Sequence, residues 1–129
     1  MRAARVKPRL EKHEQADCVK LLKSLGAAVY VLGTVRPRAD SYHGTCQTPG
    51  IADVEAWMPI KGGEPGARKL LKLEVKRARG ARLSPEQKAY AAHCHAAGVD
   101  YVCGDLTALM RWLVADGYLR RDQLPAGDA

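Results

Sequence analysis

The chain has no phenylalanine, few aromatic residues and no apolar run of membrane-spanning length. Only 5% of its 129 residues are aromatic, so Leu, Val, Ala and Ile must form the hydrophobic core. A transmembrane helix needs about 20 consecutive apolar residues, and no signal peptide is recognisable at the amino end. We therefore expect a cytoplasmic protein with an aliphatic core.

The four cysteines lack the spacing of a disulfide framework. His43 and Cys46 are separated by two residues, and Cys94 lies between His93 and His95, but no second pair has the spacing of a zinc finger. A zinc site built from these residues is one interpretation. We prefer the alternative, in which the thiols are small buried groups of a reduced protein and the histidines are solvated.

Positive charge is abundant and unevenly distributed. The formal net charge is +7, and the segment 61–88 alone has nine Lys and Arg residues against three Glu. Residues 1–10 add four Lys and Arg residues and no acid, whereas the segments 11–60 and 89–129 are slightly negative. This distribution suits a groove that binds phosphate groups, although it does not by itself identify the polyanion.

Hydrophobic periodicity predicts alternating strands and helices. Gly26 and Gly98 are typical of residues that end helices. Ser84 is followed by Pro85 and, three positions on, by Gln87, a combination that marks the start of a helix. The predicted helices are 10–25, 85–97 and 106–117, and the predicted strands are 27–33, 51–60, 69–76 and 100–103.

The length fits a single domain, residues 1–129, with no repeat and no internal boundary. Residues 1–9 form a basic arm, about 10–105 form the core, and 106–129 form a further helix and tail. The order of elements in the core is helix, three strands, helix, strand, which predicts an α/β fold.

Acidic and basic side chains recur on one face of two consecutive strands. Because side chains alternate between the faces of a strand, Glu74 and Lys76 share a face, and Asp53 lies in the preceding strand. Two acids and a base can thus come together around a hard metal ion, an arrangement suited to phosphodiester cleavage. The alternative is a surface ion pair between Glu74 and Lys76, worth at most about 1 kcal/mol. That alternative explains neither Asp53 nor the concentrated basic charge.

The roles of three further residues stay open at this point. Gln87 closes a capping box with Ser84 or has a role in the site, and the spacing does not decide between these. In the first helix, Glu11 and Glu14 continue apolar stripes, so either could face the interior. Spacing alone favours the alternative that both interact with the positive end of the helix dipole.

The chain contains three motifs in the order Gly50-Ile51-Ala52-Asp53, Leu73-Glu74-Val75-Lys76 and Leu83-Ser84-Pro85-Glu86-Gln87. This ordered set resembles the VRR-NUC family, the virus-type replication-repair nucleases of the PD-(D/E)xK superfamily. Glu-x-Lys alone is a weak signal of this family, but three motifs in the family's order and with its intervals are a much stronger one. One mild departure is Ala52, where the superfamily name leads one to expect Pro. The resemblance spans about 10–105 and implies a restriction-endonuclease-like core with a mixed four-stranded sheet flanked by helices.

The resemblance implies a metal-dependent endonuclease that cleaves branched DNA of the Holliday-junction or flap type. It assigns Mg²⁺ or Mn²⁺ to Asp53, Glu74 and the backbone carbonyl of Val75. It also gives Lys76 the activation of the attacking water and Gln87 an assisting role. The first-helix acid of the family matches Glu11 or Glu14. The basic residues expected to contact DNA are Arg36, Arg38, Arg77, Arg79, Arg82 and Lys88.

We expect a phage or bacterial protein that acts in DNA repair or recombination. We also expect a homodimer, because symmetric cleavage of a four-way junction needs two opposed sites. The interface is expected near Trp57 and Met58 or on the last helix, where Trp112 lies off the main apolar stripe. The residues of that helix expected in the interface are Leu106, Met110, Trp112 and Leu113. One alternative is a nucleic-acid-binding module without catalysis, against which the intact set of acids argues. Another is a restriction-like nuclease, but little chain is left over for base readout.

Overall fold

A computed structural model of the protein describes residues 11–32, 49–77 and 82–125. Within these ranges the predicted order of helices and strands is confirmed, and each element begins and ends within a few residues of its predicted bounds. The helices are α1 (Glu11–Ser24), α2 (Pro85–Ala96) and α3 (Leu106–Ala115), followed by a 3₁₀ turn at Arg121–Gln123. The strands are β1 (Ala28–Val31), β2 (Val54–Pro59), β3 (Arg68–Val75) and β4 (Asp100–Gly104).

The strands form one mixed sheet in the order β1-β2-β3-β4. The pairs β1/β2 and β2/β3 are antiparallel, whereas β3 and β4 are parallel. A parallel pair requires a crossover connection, and α2 provides it. The α/β architecture with a mixed four-stranded sheet, which the sequence resemblance implied, is therefore present.

The hydrophobic core lies between one face of the sheet and the helices α1 and α3. Alternate residues of β2 and β3 point into it, as the period of two predicted. Glu74 and its neighbours on the other face of β3 are excluded from this core, which leaves that face free for polar side chains. The fully buried core residues include Cys18, Leu22, Val54, Ala56, Met58, Leu71, Leu73, Leu109 and Leu113.

Trp112 is accounted for within the subunit. Its ring stacks on that of Tyr118 with centroids 6.0 Å apart, and the Lys69 ammonium lies 5.4 Å from its centroid. Leu113 and Met58, which were also considered for a dimer interface, are fully buried. The subunit itself thus provides packing for Trp112, and a part of this residue in a dimer interface stays a prediction.

Cys18 and Cys94 are buried thiols, whereas His93 and His95 are exposed. Burial raises the pKa of both thiols, as expected for small apolar core residues. Cys103 is exposed, so the prediction of a buried thiol is wrong there. His43 and Cys46 lie outside the described residues. No helix in the described ranges is long and apolar enough to cross a membrane.

Candidate active site

Asp53 and Glu74 lie opposite one another where the ladder between β2 and β3 ends. The last paired residues are Val54 and Leu73, so one further step along the antiparallel register brings Asp53 across from Glu74. Residues directly opposite in such a pair share a face, with Cβ atoms about 4.5–5.5 Å apart. Both carboxylates therefore lie on the face of the sheet that does not form the core.

Backbone contacts on both sides hold Asp53 in place. Its carbonyl oxygen accepts a hydrogen bond from the Leu32 amide at 2.8 Å, and its carboxylate Oδ2 accepts one from the Val75 amide at 2.9 Å. Gly50, at φ +87°, lies so close to α2 that a Cβ there would be 2.6 Å from the backbone of Glu86. Only glycine lets this loop pack so closely against α2. The packing brings the motif that ends at Asp53 next to the motif that begins α2.

Gln87 has a structural contact and a contact to the site at the same time. Its Nε2 donates a hydrogen bond to Glu74 Oε1 at 2.6 Å, while its Oε1 accepts one from the Ser84 amide at 2.8 Å. Ser84 Oγ in turn accepts from the Gln87 amide at 3.1 Å, which completes the capping box. The start of α2 therefore fixes the position of the Glu74 carboxylate.

Glu74 is only 2% exposed. Burial, together with the hydrogen bond and the negative charge of Asp53, raises the pKa of the Glu74 carboxyl to about 8, against the opposing effects of Lys76 and Gln87. Two carboxyl groups this close share a proton unless a cation compensates their charge. The negative charge of the two carboxylates is thus poorly compensated by the neighbouring residues, and the pair is well suited to binding a cation.

The donor set fits Mg²⁺ or Mn²⁺. These ions prefer oxygen ligands, keep several waters and need only one or two protein carboxylates, and Asp53 and Glu74 supply two. In the ranges 11–32, 49–77 and 82–125, no three His, Cys, Asp or Glu side chains are grouped to hold a metal. The acid pair is therefore without a third side-chain ligand in the part of the chain that is described.

Of the two acids in the first turn of α1, Glu14 is buried and Glu11 is exposed. The Glu14 carboxylate accepts a hydrogen bond from the Leu106 amide at 2.9 Å, at the amino end of α3. A carboxylate at this position stabilises a helix through its unpaired amide groups and its dipole. Glu14 thus faces the interior and contacts another helix, and its role as a metal ligand stays a prediction.

Lys76 follows β3 directly, and its positive charge lowers the pKa of Glu74. Its amide donates to the Gly104 carbonyl at 2.8 Å, so β4 fixes its backbone. The predicted DNA-contacting residues Arg77, Arg82 and Lys88 are exposed. Arg36, Arg38 and Arg79 lie outside the described residues.

Tyr101 is a residue near the site that the sequence interpretation missed. It pairs with Lys72 on the face opposite to the core, and in the described part of the chain its buried hydroxyl has no hydrogen-bond partner. Burial raises its pKa, and the charges of Glu74 and Asp53 contribute. The alternation about the buried Val102 was the signal that could have placed Tyr101 on the face of the acids.

A solved structure described as a VRR_NUC domain is similar to this chain. The TM-score is 0.53 at 21% sequence identity, and the match covers 81% of this chain and 94% of that chain. No protein-family model matches the sequence, and no curated protein sequence matches it. Similarity at this level of identity shows the fold, so the resemblance carried by the three motifs is confirmed as a likeness of fold.

Proposed function

We propose that the protein is a metal-dependent nuclease that hydrolyses phosphodiester bonds in branched DNA. The observation that supports this best is the Asp53 and Glu74 pair, two carboxylates opposite one another on the polar face of the sheet. The raised pKa of Glu74, about 8, reflects a charge arrangement that a divalent cation would neutralise. The likeness of fold to a VRR_NUC domain supports the same class of reaction.

The position of each residue supports a separate role. Asp53, Glu74 and the carbonyl of Val75 would hold Mg²⁺ or Mn²⁺, which when bound lowers the pKa of water and offsets charge on the phosphate. Lys76 orients the attacking water and stabilises negative charge at the phosphate. Gln87 keeps the Glu74 carboxylate turned toward Asp53 and also caps α2.

Cleavage assays with labelled DNA test the function directly. A four-way junction, a flap, a duplex and a single strand of matched sequence are incubated with Mg²⁺, Mn²⁺ or EDTA. We expect cleavage of the branched substrates with either metal and none with EDTA. Binding without cleavage under all conditions would instead indicate a binding module, and cleavage confined to one duplex sequence would indicate a restriction-like nuclease.

The proposal includes a homodimer. One acid pair cuts one strand at a time, and symmetric resolution of a four-way junction needs two opposed incisions, for which two-fold symmetry is the simplest arrangement. Since Leu113 and Met58 are fully buried, the interface would use residues other than these two. Light scattering with size exclusion at micromolar concentration, with and without junction DNA, tests this. A monomer in both conditions would exclude the dimer and favour flap DNA as the substrate.

A further inference from the structure

The face of the sheet that carries the acid pair is covered unequally. On the β4 side, α2 packs against it, with the rings of Tyr90 and Tyr101 6.2 Å apart. On the β1 and β2 side, the main helix contact comes from α1 on the core face. On the polar face of these two strands Tyr30 is 56% exposed and Trp57 is 36% exposed.

The strand register places Tyr30 and Trp57 on the same face as the acids. Trp57 and Glu55 alternate with the buried residues of β2, as Asp53 does, and Tyr30 lies opposite Glu55. Tyr30 and Trp57 are therefore diagonal neighbours, about 7–8 Å apart. Trp57 lies four residues from Asp53 along β2, about 13 Å at the rise of a strand. The two rings thus form an aromatic patch, Tyr30 and Trp57, on the face of the sheet that carries the acid pair.

Other aromatic residues in the described ranges pack against a second ring: Tyr90 against Tyr101, and Trp112 against Tyr118. Within the same ranges, the rings of the aromatic patch have no ring partner. Single exposed apolar side chains are common on protein surfaces. Two aromatic neighbours on the face of a candidate active site, in a chain with 5% aromatics, are better explained by a flat partner.

Charge around the aromatic patch suits an anionic partner. The Glu55 carboxylate, opposite Tyr30 and two residues from Trp57, is paired with the Lys72 ammonium at 3.7 Å. The exposed Arg68 guanidinium donates hydrogen bonds to the carbonyls of Trp57 and Gly26, each at 2.9 Å. A positive charge is therefore fixed beside Trp57, and the nearby negative charge is neutralised.

We propose that the aromatic patch stacks unpaired bases of the DNA strand that enters the site. This inference rests on the proposed function and narrows it to branched DNA that carries unpaired nucleotides, such as a flap. Stacking of a base on an aromatic side chain contributes about 1–3 kcal/mol and hardly depends on which base is present. A fully paired duplex cannot offer its base faces, so the patch discriminates between DNA structures and not between sequences.

The test compares Tyr30→Leu and Trp57→Leu, which keep apolar bulk, with Tyr30→Phe and Trp57→Phe, which keep a ring. Val31→Ala is the matched control, since Val31 is the neighbour of Tyr30 on β1, is 50% exposed and points to the opposite face. All variants are made in an Asp53→Asn background to prevent cleavage. Fluorescence anisotropy then gives the Kd for a labelled flap, a single strand and a duplex of the same sequence.

We expect each Leu variant to bind flap and single-stranded DNA about 5- to 150-fold more weakly, the equivalent of one stacked base. Duplex affinity should not change, and the Phe variants and Val31→Ala should resemble the parent. Equal losses on flap and duplex, or no loss on either, would overturn the inference. So would a shift from dimer to monomer in the Leu variants with unchanged DNA affinity, which would identify the patch as a subunit interface.

The inference and the proposed function can fail separately. If the Leu variants bind flap DNA like the parent while the wild-type protein still cleaves DNA with Mg²⁺, the stacking surface is wrong and the nuclease assignment stands. If the wild-type protein cleaves no DNA with either metal while the Leu variants lose affinity for single strands, the nuclease assignment is wrong and the patch is a binding surface.

Discussion

Two charged clusters lie at opposite ends of β3 and are built in opposite ways. At the carboxyl end, Glu74 faces a second acid, Asp53, across the ladder. At the amino end, the Lys69 ammonium contacts the carboxylate of Asp116 and lies 3.5 Å from that of Asp100. The first cluster brings like charges together, and the second brings opposite charges together.

The pKa values of the two clusters show the consequence. The pKa of Glu74 is raised to about 8, so its anionic form is destabilised. The pKa of Lys69 is also raised, chiefly by its hydrogen bond to Asp116, so its cationic form is stabilised. A cluster that satisfies its own charges stabilises the fold, whereas one that does not is a candidate for binding a ligand. This contrast separates the structural cluster from the proposed metal site.

The largest expected effect is the loss of cleavage when one acid of the pair is neutralised. Asp53→Asn or Glu74→Gln keeps the shape of the side chain but removes a charged metal ligand, so cleavage of labelled flap DNA at saturating Mg²⁺ should fall at least about 1000-fold, or ~4 kcal/mol. Lys76→Ala should be nearly as damaging. Asp116→Asn is the matched control at the other end of β3 and should cleave at the wild-type rate. Wild-type turnover in either acid variant would remove the proposed site.

The pH dependence of stability should also differ between the two ends. Because the folded protein holds the Glu74 proton more tightly than the unfolded chain, this proton stabilises the fold fully below pH 4.5, and its contribution is lost as the pH rises toward about 8. Lys69, whose pKa is raised, stays charged throughout this range and adds no slope of its own. Urea unfolding in EDTA between these pH values measures the effect.

Glu74→Gln is the control for this pH dependence and should flatten the profile, whereas Asp116→Asn should leave its slope unchanged. A metal-free protein whose stability rises steadily between pH 4.5 and 8 would contradict the charge arrangement inferred for the acid pair.

Gln87 links the helix cap to the acid pair, and Ser84→Ala and Gln87→Leu separate the two contacts. Each should lower the free energy of unfolding by about 1 kcal/mol, because each removes part of the capping box. Only Gln87→Leu should also slow cleavage, by about tenfold, since it alone loses the charge-assisted hydrogen bond to Glu74. Thermal unfolding and initial rates for both variants check this. Equal cleavage rates would restrict Gln87 to its structural role.

The smallest expected effect concerns the basic residues beside the acid pair. Neutralising Arg77 and Arg82 should weaken DNA binding similarly for all sequences and reduce the slope of log affinity against log salt by about 0.9 per lost phosphate contact. Lys61→Gln, at the other end of the sheet, is the control and should leave the slope unchanged, because its ammonium is bonded to the Gly117 carbonyl. An unchanged slope in the double Arg variant would place the DNA elsewhere.

The order of elements and the faces of the strands could be predicted from the sequence, because period-two and helical patterns are local. The motif intervals also predicted that Asp53 and Glu74 lie in neighbouring strands. The direct opposition of the two acids could not be predicted, since it depends on the register of an antiparallel pair whose loop length does not fix it.

Contacts between distant segments could not be predicted either. The hydrogen bond from Leu106 to Glu14, the approach of Gly50 to Glu86 and the stacking of Trp112 follow from how elements pack. No local pattern encodes these pairings. The capping box of Gln87 was recognisable from spacing, but its simultaneous contact to Glu74 depends on how α2 packs against the end of β3.

Calorimetric titration of the metal-free protein with Mn²⁺, at a pH above the Glu74 pKa of about 8, tests most directly whether the acid pair is a metal site. The wild-type protein and Asp116→Asn should bind Mn²⁺ alike, and Asp53→Asn and Glu74→Gln should each lose that binding. Mn²⁺ binding that is unchanged in both acid variants would contradict the assignment of the metal to this end of the sheet.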